Sequence, residues 1–465
     1  MTKPKVGLLG LTLEFYERNG PEFRRGRDRF VREGLIPALG GAAEAVFDGA
    51  CFTREQVERA VAGFEAGGCD AVCVVLLSYS QSLISAPALQ RTHLPIVVWN
   101  TQELHAVDES YGQTELMNNH GVHGTHDLCN VLTRAGVKFR YVTSHVDDDG
   151  ATDELADFFA AAATAARLRR AKLGLLGYPF PGMGDFGLDT THLATTLGCA
   201  WEALTVADYV ARCEAADAGE IGRLVGEYRE QYDLADGVTD DDLAAAARAE
   251  AALRGMVADR GLSALSYQFL SFGDDPRVET LPFVAMSRLL AEGVGFGGEG
   301  DLISAAGSAL LNWLHPPASF SEIFTVDFAG NAVLLSHMGE ANVAMHRKDA
   351  RCRLVRRERP LVPIRGSQLA LAVAFEPGEA TLMALTLGAA GRWKIIHSPT
   401  RFKAFGPLEA LAVPHTKMRP PGDVRDFLTA YALAGGPHHL AVCAGDASWR
   451  LRMLARILDA DCVEV

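Results

Sequence analysis

Short apolar runs separated by amphipathic helices constrain this chain more than any other feature. KVGLLGL (residues 5–11), CDAVCVVLL (69–77) and LPIVVWN (94–100) are each bounded by Gly, Asp or Pro, and REQVERAVAGFEAGG (54–68) between the first two has helical periodicity. Apolar stretches of roughly five to eight residues alternating with helices belong to parallel strands covered on both faces. Ligands of such sheets gather beyond the carboxyl ends of the strands. The segments that follow these runs, TLEFYERNG (12–20), SYSQS (78–82) and NTQELH (100–105), are correspondingly polar.

The pattern then repeats. DDDGATDELADFFAAAATAARLRRA (147–171) is acidic first and basic last, as the helix dipole favours. It leads into the strand KLGLLGYPF (172–180) and a further helix, DDDLAAAARAEAALRGMVADRG (240–261). Beyond Pro316–Pro317 the texture changes. SQLALAVAFEPGEATLMALTLG (367–388) sets two apolar runs around Pro-Gly, and RWKIIHS (392–398) follows; the first reads as a hairpin. The expected fold is α/β, with two doubly wound parallel-sheet domains (1–168 and 169–315) followed by a β-rich C-terminal domain (316–465).

With 44 basic and 58 acidic residues the net charge is −14, which disfavours nucleic acid and anionic membrane as main partners. The basic stretch RKDARCRLVRRERP (347–360) alternates with apolar residues and reads as the solvated face of a strand. No run approaches the length of a membrane span, and MTKPKVGLLG lacks the features of a signal peptide, so a cytoplasmic protein is expected. The nine cysteines are scattered singly, which suits neither a disulfide framework nor a zinc cluster.

Four places carry chemistry. In GVGFGGEGDLISAAGSALL (293–311) a Gly-rich turn precedes a helix, but Glu299 and Asp301 would repel a phosphate, and no dinucleotide or P-loop signature is present. Either the glycines press the backbone against a ligand while aiming Glu299 at it, or Glu299 caps the helix. In FSEIFTVDFAGN (320–331) Glu322 sits among aromatic and apolar neighbours; it is paired or metal-bound, or exposed on a strand edge. His337 in VLLSHMGEAN (333–342) is a ligand or a hydrogen-bonded core histidine. In AGGPHHLAV (434–442), adjacent residues of an extended chain face opposite ways, so one of His438 and His439 enters a given site. Two carboxylates with two imidazoles suit Mn²⁺, Mg²⁺ or Co²⁺ better than zinc.

The order GEGD, SFSEIFTVDF, SHMGEAN, AGGPHH resembles the L-arabinose isomerase family, with the related L-fucose isomerase fold behind it. LVGEYREQYDLADG (224–237), LPFVAMSRLLAEGVGFGGEGD (281–301) and MNNHGVHG (117–124) have counterparts there in the same order. The resemblance implies a metal-dependent aldose–ketose isomerase acting on a small sugar (pentose, deoxyhexose or tetrose type) through an enediolate. Its metal ligands fall on Glu299, Glu322, His337 and His439, its acid–base pair on the two glutamates, and the C-terminal domain completes the metal site. His438 faces away from the ion and is placed among the substrate-binding residues with His120, Met183, Tyr16, Glu14 and Phe272, or Phe269 in place of the last. The resemblance further implies Mn²⁺ as cofactor and a homo-oligomer, trimer or hexamer, in which His120 reaches a neighbouring subunit's site.

The chain also departs from that family. Ile323, Phe324 and Val326 stand where its members carry tyrosine and acidic groups, and Leu302–Ile303 where they carry Trp-Lys. These apolar substitutions keep two alternatives in view: an epimerase or hydrolase on the same fold, or a non-catalytic sugar-binding protein. In the array His120, His123, His126, the glycines at 121 and 124 favour a loop, with surface roles for the last two histidines.

Overall fold

The computed structural model describes residues 3–273, 275–357 and 366–465, and the chain divides into two compact units, 1–166 and 167–465. In the first unit, strands β1 (Lys5–Leu11), β2 (Glu44–Val46), β3 (Ala71–Leu76), β4 (Ile96–Asn100) and β5 (Phe139–Thr143) form one parallel sheet in the order β2-β1-β3-β4-β5. The apolar runs are its buried central strands: every residue of β3 is buried, as helices on both faces require. Helix Arg54–Ala66 starts on a capping box between Thr53 and Gln56.

The array of histidines here is not a loop. His120 ends helix Gln113–Asn119, while His123 and His126 lie on helix Val122–Arg134. Gly124 is inside that helix because it presses on β3: a Cβ there would stand 2.5 Å from Leu76 Cδ2.

In the second unit, β6 (Lys172–Leu176), β7 (Ala200–Leu204), the two-residue β8 (Asp233–Leu234), β9 (Ala264–Tyr267) and β10 (Gly295–Gly297) come first. All but β8 form a second parallel sheet, β10-β9-β6-β7. The β-rich part follows as β11 (Ala318–Asp327), β12 (Ala332–Ser336), β13 (Arg353–Arg356), β14 (Leu369–Ala372), β15 (Gly378–Leu387), β16 (Trp393–Phe402), β17 (His415–Arg419), β18 (His439–Ala444) and β19 (Asp461–Glu464). Its main sheet runs β15-β18-β11-β12-β17-β16-β19, and a further pairing of β15 with β16 closes six strands into a ring. Closure removes the open edges a sheet of this size would otherwise present.

The apolar runs around Pro-Gly are not a hairpin. β14 pairs with β13 in a separate small sheet with β8, whereas β15 pairs with β16 and β18. Pro377–Gly378 carries the chain from one sheet to another, and the true hairpin is β15–β16. The basic stretch contributes β13, with Leu354 and Val355 buried; its last residues, 358–360, lie outside the described residues.

Helix Leu302–Leu314, buried along its whole length, packs against β10, β11, β15 and β18 and joins the parallel sheet to the ring. The turn before it therefore opens where the carboxyl end of β10 meets the middle of β11 and the start of β18. Among the described residues no helix is long and apolar enough to cross a membrane.

Candidate metal centre

Glu299 occupies the turn between β10 and the buried helix with φ 61° and ψ 21°, a left-handed conformation rare outside glycine. Capping of the helix falls to Asp301, whose Oδ1 accepts from Ile303 N at 2.8 Å and Ser304 N at 2.9 Å. Glu299 is thus free of that duty. Gly298 beside it is tightly confined: a Cβ would sit 3.0 Å from His337 Nε2, and the imidazole would have to give way.

Strand register supplies the other groups. Glu322 on β11 is paired directly with His439 on β18 and with Ser336 on β12, and His337 is the next residue along. Glu322 therefore lies inside the sheet with an imidazole on either side. The register shifts between Ile323 and Thr325; such irregularities commonly re-aim a side chain at a site. His439 Nε2 lies 2.8 Å from Glu322 Oε1 and 3.9 Å from Glu299 Oε2, and His337 Nε2 lies 3.9 Å from Glu322 Oε1. Phe320 is wedged edge-on against both imidazoles, at 4.7 Å from His337 and 5.0 Å from His439.

Each imidazole is oriented through its Nδ1. His439 Nδ1 donates to Asp301 Oδ2 at 2.9 Å and His337 Nδ1 to Glu340 Oε2 at 2.5 Å. Glu340 in turn accepts a short hydrogen bond from the buried Tyr267 hydroxyl. His438 Nδ1 donates to Asp185 Oδ2 at 2.5 Å, and the backbone N–H of His438 donates to the same oxygen at 3.0 Å. With Nδ1 engaged by a carboxylate, Nε2 is the nitrogen left to face the site, where a cation would take the place of its proton.

The electrostatics follow from this crowding. Burial works against charge on His439, but the carboxylates of Asp301 and Glu322 overcome it and hold the imidazole pKa up at about 9. Burial would raise the Glu322 carboxyl, yet the hydrogen bond from His439 and the charge of His337 hold it below the ordinary range. Burial likewise opposes the Asp185 charge, and the bonds from His438 outweigh it.

These residues fit a divalent cation on the structure's own terms. Donor atoms of Glu299, Glu322, His438 and His439 all lie within 4.8 Å of one another. Glu299 Oε2 is buried without any hydrogen-bond partner, a costly state that coordination relieves. The 2.8 Å between His439 Nε2 and Glu322 Oε1 is close to the ~3 Å that separates neighbouring ligands at right angles on bonds of about 2.1 Å.

Comparison with known proteins covers the stretches that carry these residues. Residues 39–169 match the family model "Fucose/sulfoquinovose isomerase, N-terminal domain", 186–315 match "L-arabinose isomerase central domain" and 317–461 match "L-arabinose isomerase C-terminal domain". The chain belongs to the L-arabinose isomerase fold family, as a divergent member. An L-arabinose isomerase of Acidothermus cellulolyticus is 27% identical over 416 residues, 86% of this chain and 81% of that protein. One of Anoxybacillus flavithermus is 25% identical over 438 residues, 90% and 85% of the respective chains. Among solved structures, an ABC transporter periplasmic solute binding protein of Actinobacillus succinogenes with bound D-allose covers 67% of this chain and 92% of its own at 15% identity, with a TM-score of 0.18. Superposition at that level carries no argument.

In this divergent arabinose isomerase-like chain, then, Glu299, Glu322 and His439 meet at one point with His337 beside Glu322. His438 does not face away. Its ring lies 4.0 Å from that of His439, with Nε2 3.8 Å from Glu299 Oε2. Strand alternation does not govern it, because β18 begins only at His439 and Asp185 holds the preceding residue from outside the sheet. Phe272 is a core residue, fully buried and edge-on to Tyr209 and Tyr267. Phe269 is half-buried and contacts Phe180, whose N–H donates to Glu299 O at 2.9 Å. Met183 lies in the same segment as Asp185, between β6 and helix Thr190–Thr196.

The first unit gathers the remaining expected residues apart from Glu14, which pairs with Arg18 on the surface. Tyr16 Oη donates to His120 Nε2 at 3.0 Å while His120 Nδ1 donates to Met117 O at 3.0 Å, the pattern of a neutral imidazole. Burial lowers the His120 pKa accordingly. Asp301, Glu340, Asp185 and Phe186, which stacks on His439 at 5.5 Å and 8°, are the site's further members. The first two stand inside GEGD and SHMGE, at i+2 and i+3 from the residues those motifs single out; nothing local marks the other two.

Proposed function

We propose that this protein is a divalent-cation-dependent aldose–ketose isomerase acting on a small sugar of the pentose, deoxyhexose or tetrose type. The observation that carries the reading is the meeting of two carboxylates with imidazoles whose Nδ1 atoms are each held by another carboxylate. A divalent cation bound there, Mn²⁺ by the mixed oxygen and nitrogen donors, would polarise the substrate carbonyl and offset the charge that proton removal creates.

Isomerisation takes a proton from the carbon beside the carbonyl and returns it to the neighbouring carbon. Glu299 and Glu322, with oxygens within 4.8 Å of each other, are placed to serve one carbon pair. One carboxylate moves the carbon-bound proton and the other the hydroxyl proton, each step contributing about 10²- to 10⁴-fold. Asp301 and Glu340 hold His439 and His337 in register throughout. Met183 and Phe269 are the second unit's contacts to the sugar, and Tyr16 with His120 forms a contact offered to a neighbouring subunit in a cytosolic homo-oligomer.

The test is exchange of solvent deuterium into C2 of an aldose by protein supplied with Mn²⁺, across a panel of pentoses, deoxyhexoses and tetroses. Exchange with ketose formation supports the reading, and a loaded protein inert toward the whole panel refutes it. Epimerisation or hydrolysis of a sugar derivative is the second reading. The apolar Ile323, Phe324 and Val326 beyond Glu322 favour it, since they offer no hydroxyl-reading groups. A product altered only in configuration, or by addition of water, would decide for it.

A further inference from the structure

We propose that Asp185 makes His438 a ligand of the cation site, by fixing its imidazole so that Nε2 faces Glu299. The proposal rests on the reading of this cluster as a cation site. His438 lies one residue before β18, where no strand register orients it. Asp185 Oδ2 supplies the orientation by accepting both the backbone N–H at 3.0 Å and Nδ1–H at 2.5 Å, a two-point clamp that leaves the ring little freedom. The lone pair is thereby placed on Nε2, 3.8 Å from Glu299 Oε2, an oxygen that is buried without a hydrogen-bond partner.

The arrangement repeats what Asp301 does for His439 and Glu340 for His337, yet it comes from a different part of the chain. The segment bearing Asp185 is seated on the same pair of rings twice, since Phe186 stacks on His439 at 8°. His438, rather than His337, shares the 4.8 Å cluster with Glu299, Glu322 and His439. Asp185 is a positioning residue in this scheme, acting through His438.

The experiment titrates Mn²⁺ into the full-length wild type, Asp185→Ala, Asp185→Asn, His438→Gln and the double variant Asp185→Ala/His438→Gln, with pulsed EPR counting coordinated imidazoles. The expected wild-type result is one bound ion. Asp185→Ala and His438→Gln should each weaken it by about 10- to 100-fold and remove one imidazole from the count. Asp185→Asn still accepts the backbone N–H and so keeps the segment seated, but it should lose the same imidazole, because its amide can present a donor to Nδ1 and favours the wrong tautomer. The double variant should be no weaker than His438→Gln alone. A wild type that binds one ion while Asp185→Ala binds it equally well with an unchanged imidazole count overturns the proposal and leaves the cation site standing. A double variant weaker than His438→Gln also overturns it, by showing that Asp185 acts elsewhere. A wild type that takes up no ion overturns both.

Discussion

Asp301 binds His439 across 2.9 Å with one carboxylate oxygen while the other caps the buried helix Leu302–Leu314. One side chain thus ties the turn that carries Glu299 to the strand that carries the facing imidazole. The left-handed Glu299 is held between these fixed points. Strain of that kind, of order 1–3 kcal/mol, persists only where surrounding structure over-determines it.

The dual role of Asp301 separates two variants. Asp301→Ala should lose the cap, about 1 kcal/mol, together with 10- to 100-fold or so in cation affinity. Asp301→Asn retains a good cap but gives up the buried charged hydrogen bond to His439 Nδ1, so metal-free stability should fall by less than in Asp301→Ala while cation affinity falls nearly as far. Thermal unfolding of the metal-free protein alongside Mn²⁺ calorimetry checks both; equal affinity for wild type and Asp301→Asn would show that the bond does not orient a ligand.

Glu299→Gln and Glu322→Gln keep shape and lose charge. Each should lower C2 deuterium exchange by at least about 10²-fold, with the fold intact by circular dichroism. Retained exchange in either variant would remove that glutamate from the proton path.

Phe272 should behave as a packing residue. Phe272→Ala is expected to cost about 3–5 kcal/mol of stability, whereas the milder Phe272→Leu should leave the substrate KM unchanged. Phe269→Ala should do the reverse, raising KM with little loss of stability. Urea unfolding and steady-state kinetics of the three variants distinguish the roles.

Stability should fall with acidification through histidines remote from the centre. His346 Nδ1 accepts from Ala374 N at 3.1 Å, and His415 Nε2 accepts from Leu408 N at 3.0 Å, bonds that only neutral rings can make. Burial lowers both pKa values in the folded protein. The unfolded chain, with histidines near 6.5 or so, takes up protons first, so this contribution is complete above about pH 6.5 and is lost as pH falls from there toward the folded values. His439, held up in the folded protein, acts in the opposite sense over the same range, so the reading is the difference from His346→Asn/His415→Gln, where amide oxygens replace the accepting nitrogens: the wild-type advantage in urea midpoint should shrink between pH 7.5 and 5.5 or thereabouts. An advantage that grows on acidification contradicts the account.

Much of this was legible from residues alone, and the exceptions share a cause. β1, β3, β4 and β6 and the Ala-rich helices follow from apolar run length and punctuation, because a strand buried on both faces has nothing but apolar side chains to show. Glu299, Glu322 and His439 stood out as charges or imidazoles beside apolar sequence. What local pattern does not contain is partnership at long range. The Asp185–His438 clamp spans 253 positions, and nothing near Asp185 distinguishes it from a surface acid. Periodicity also misjudged Gly124, whose helix tolerates glycine to approach Leu76, and the Pro-Gly of residues 377–378, which links two sheets.

Anomalous diffraction at the manganese edge from a crystal soaked in Mn²⁺ tests the central claim most directly. The account predicts one peak within about 2.3 Å of a carboxylate oxygen of Glu299, one of Glu322 and Nε2 of His439. No peak at the end of β10 in a crystal saturated with the ion, or a peak that touches none of these three, would contradict it.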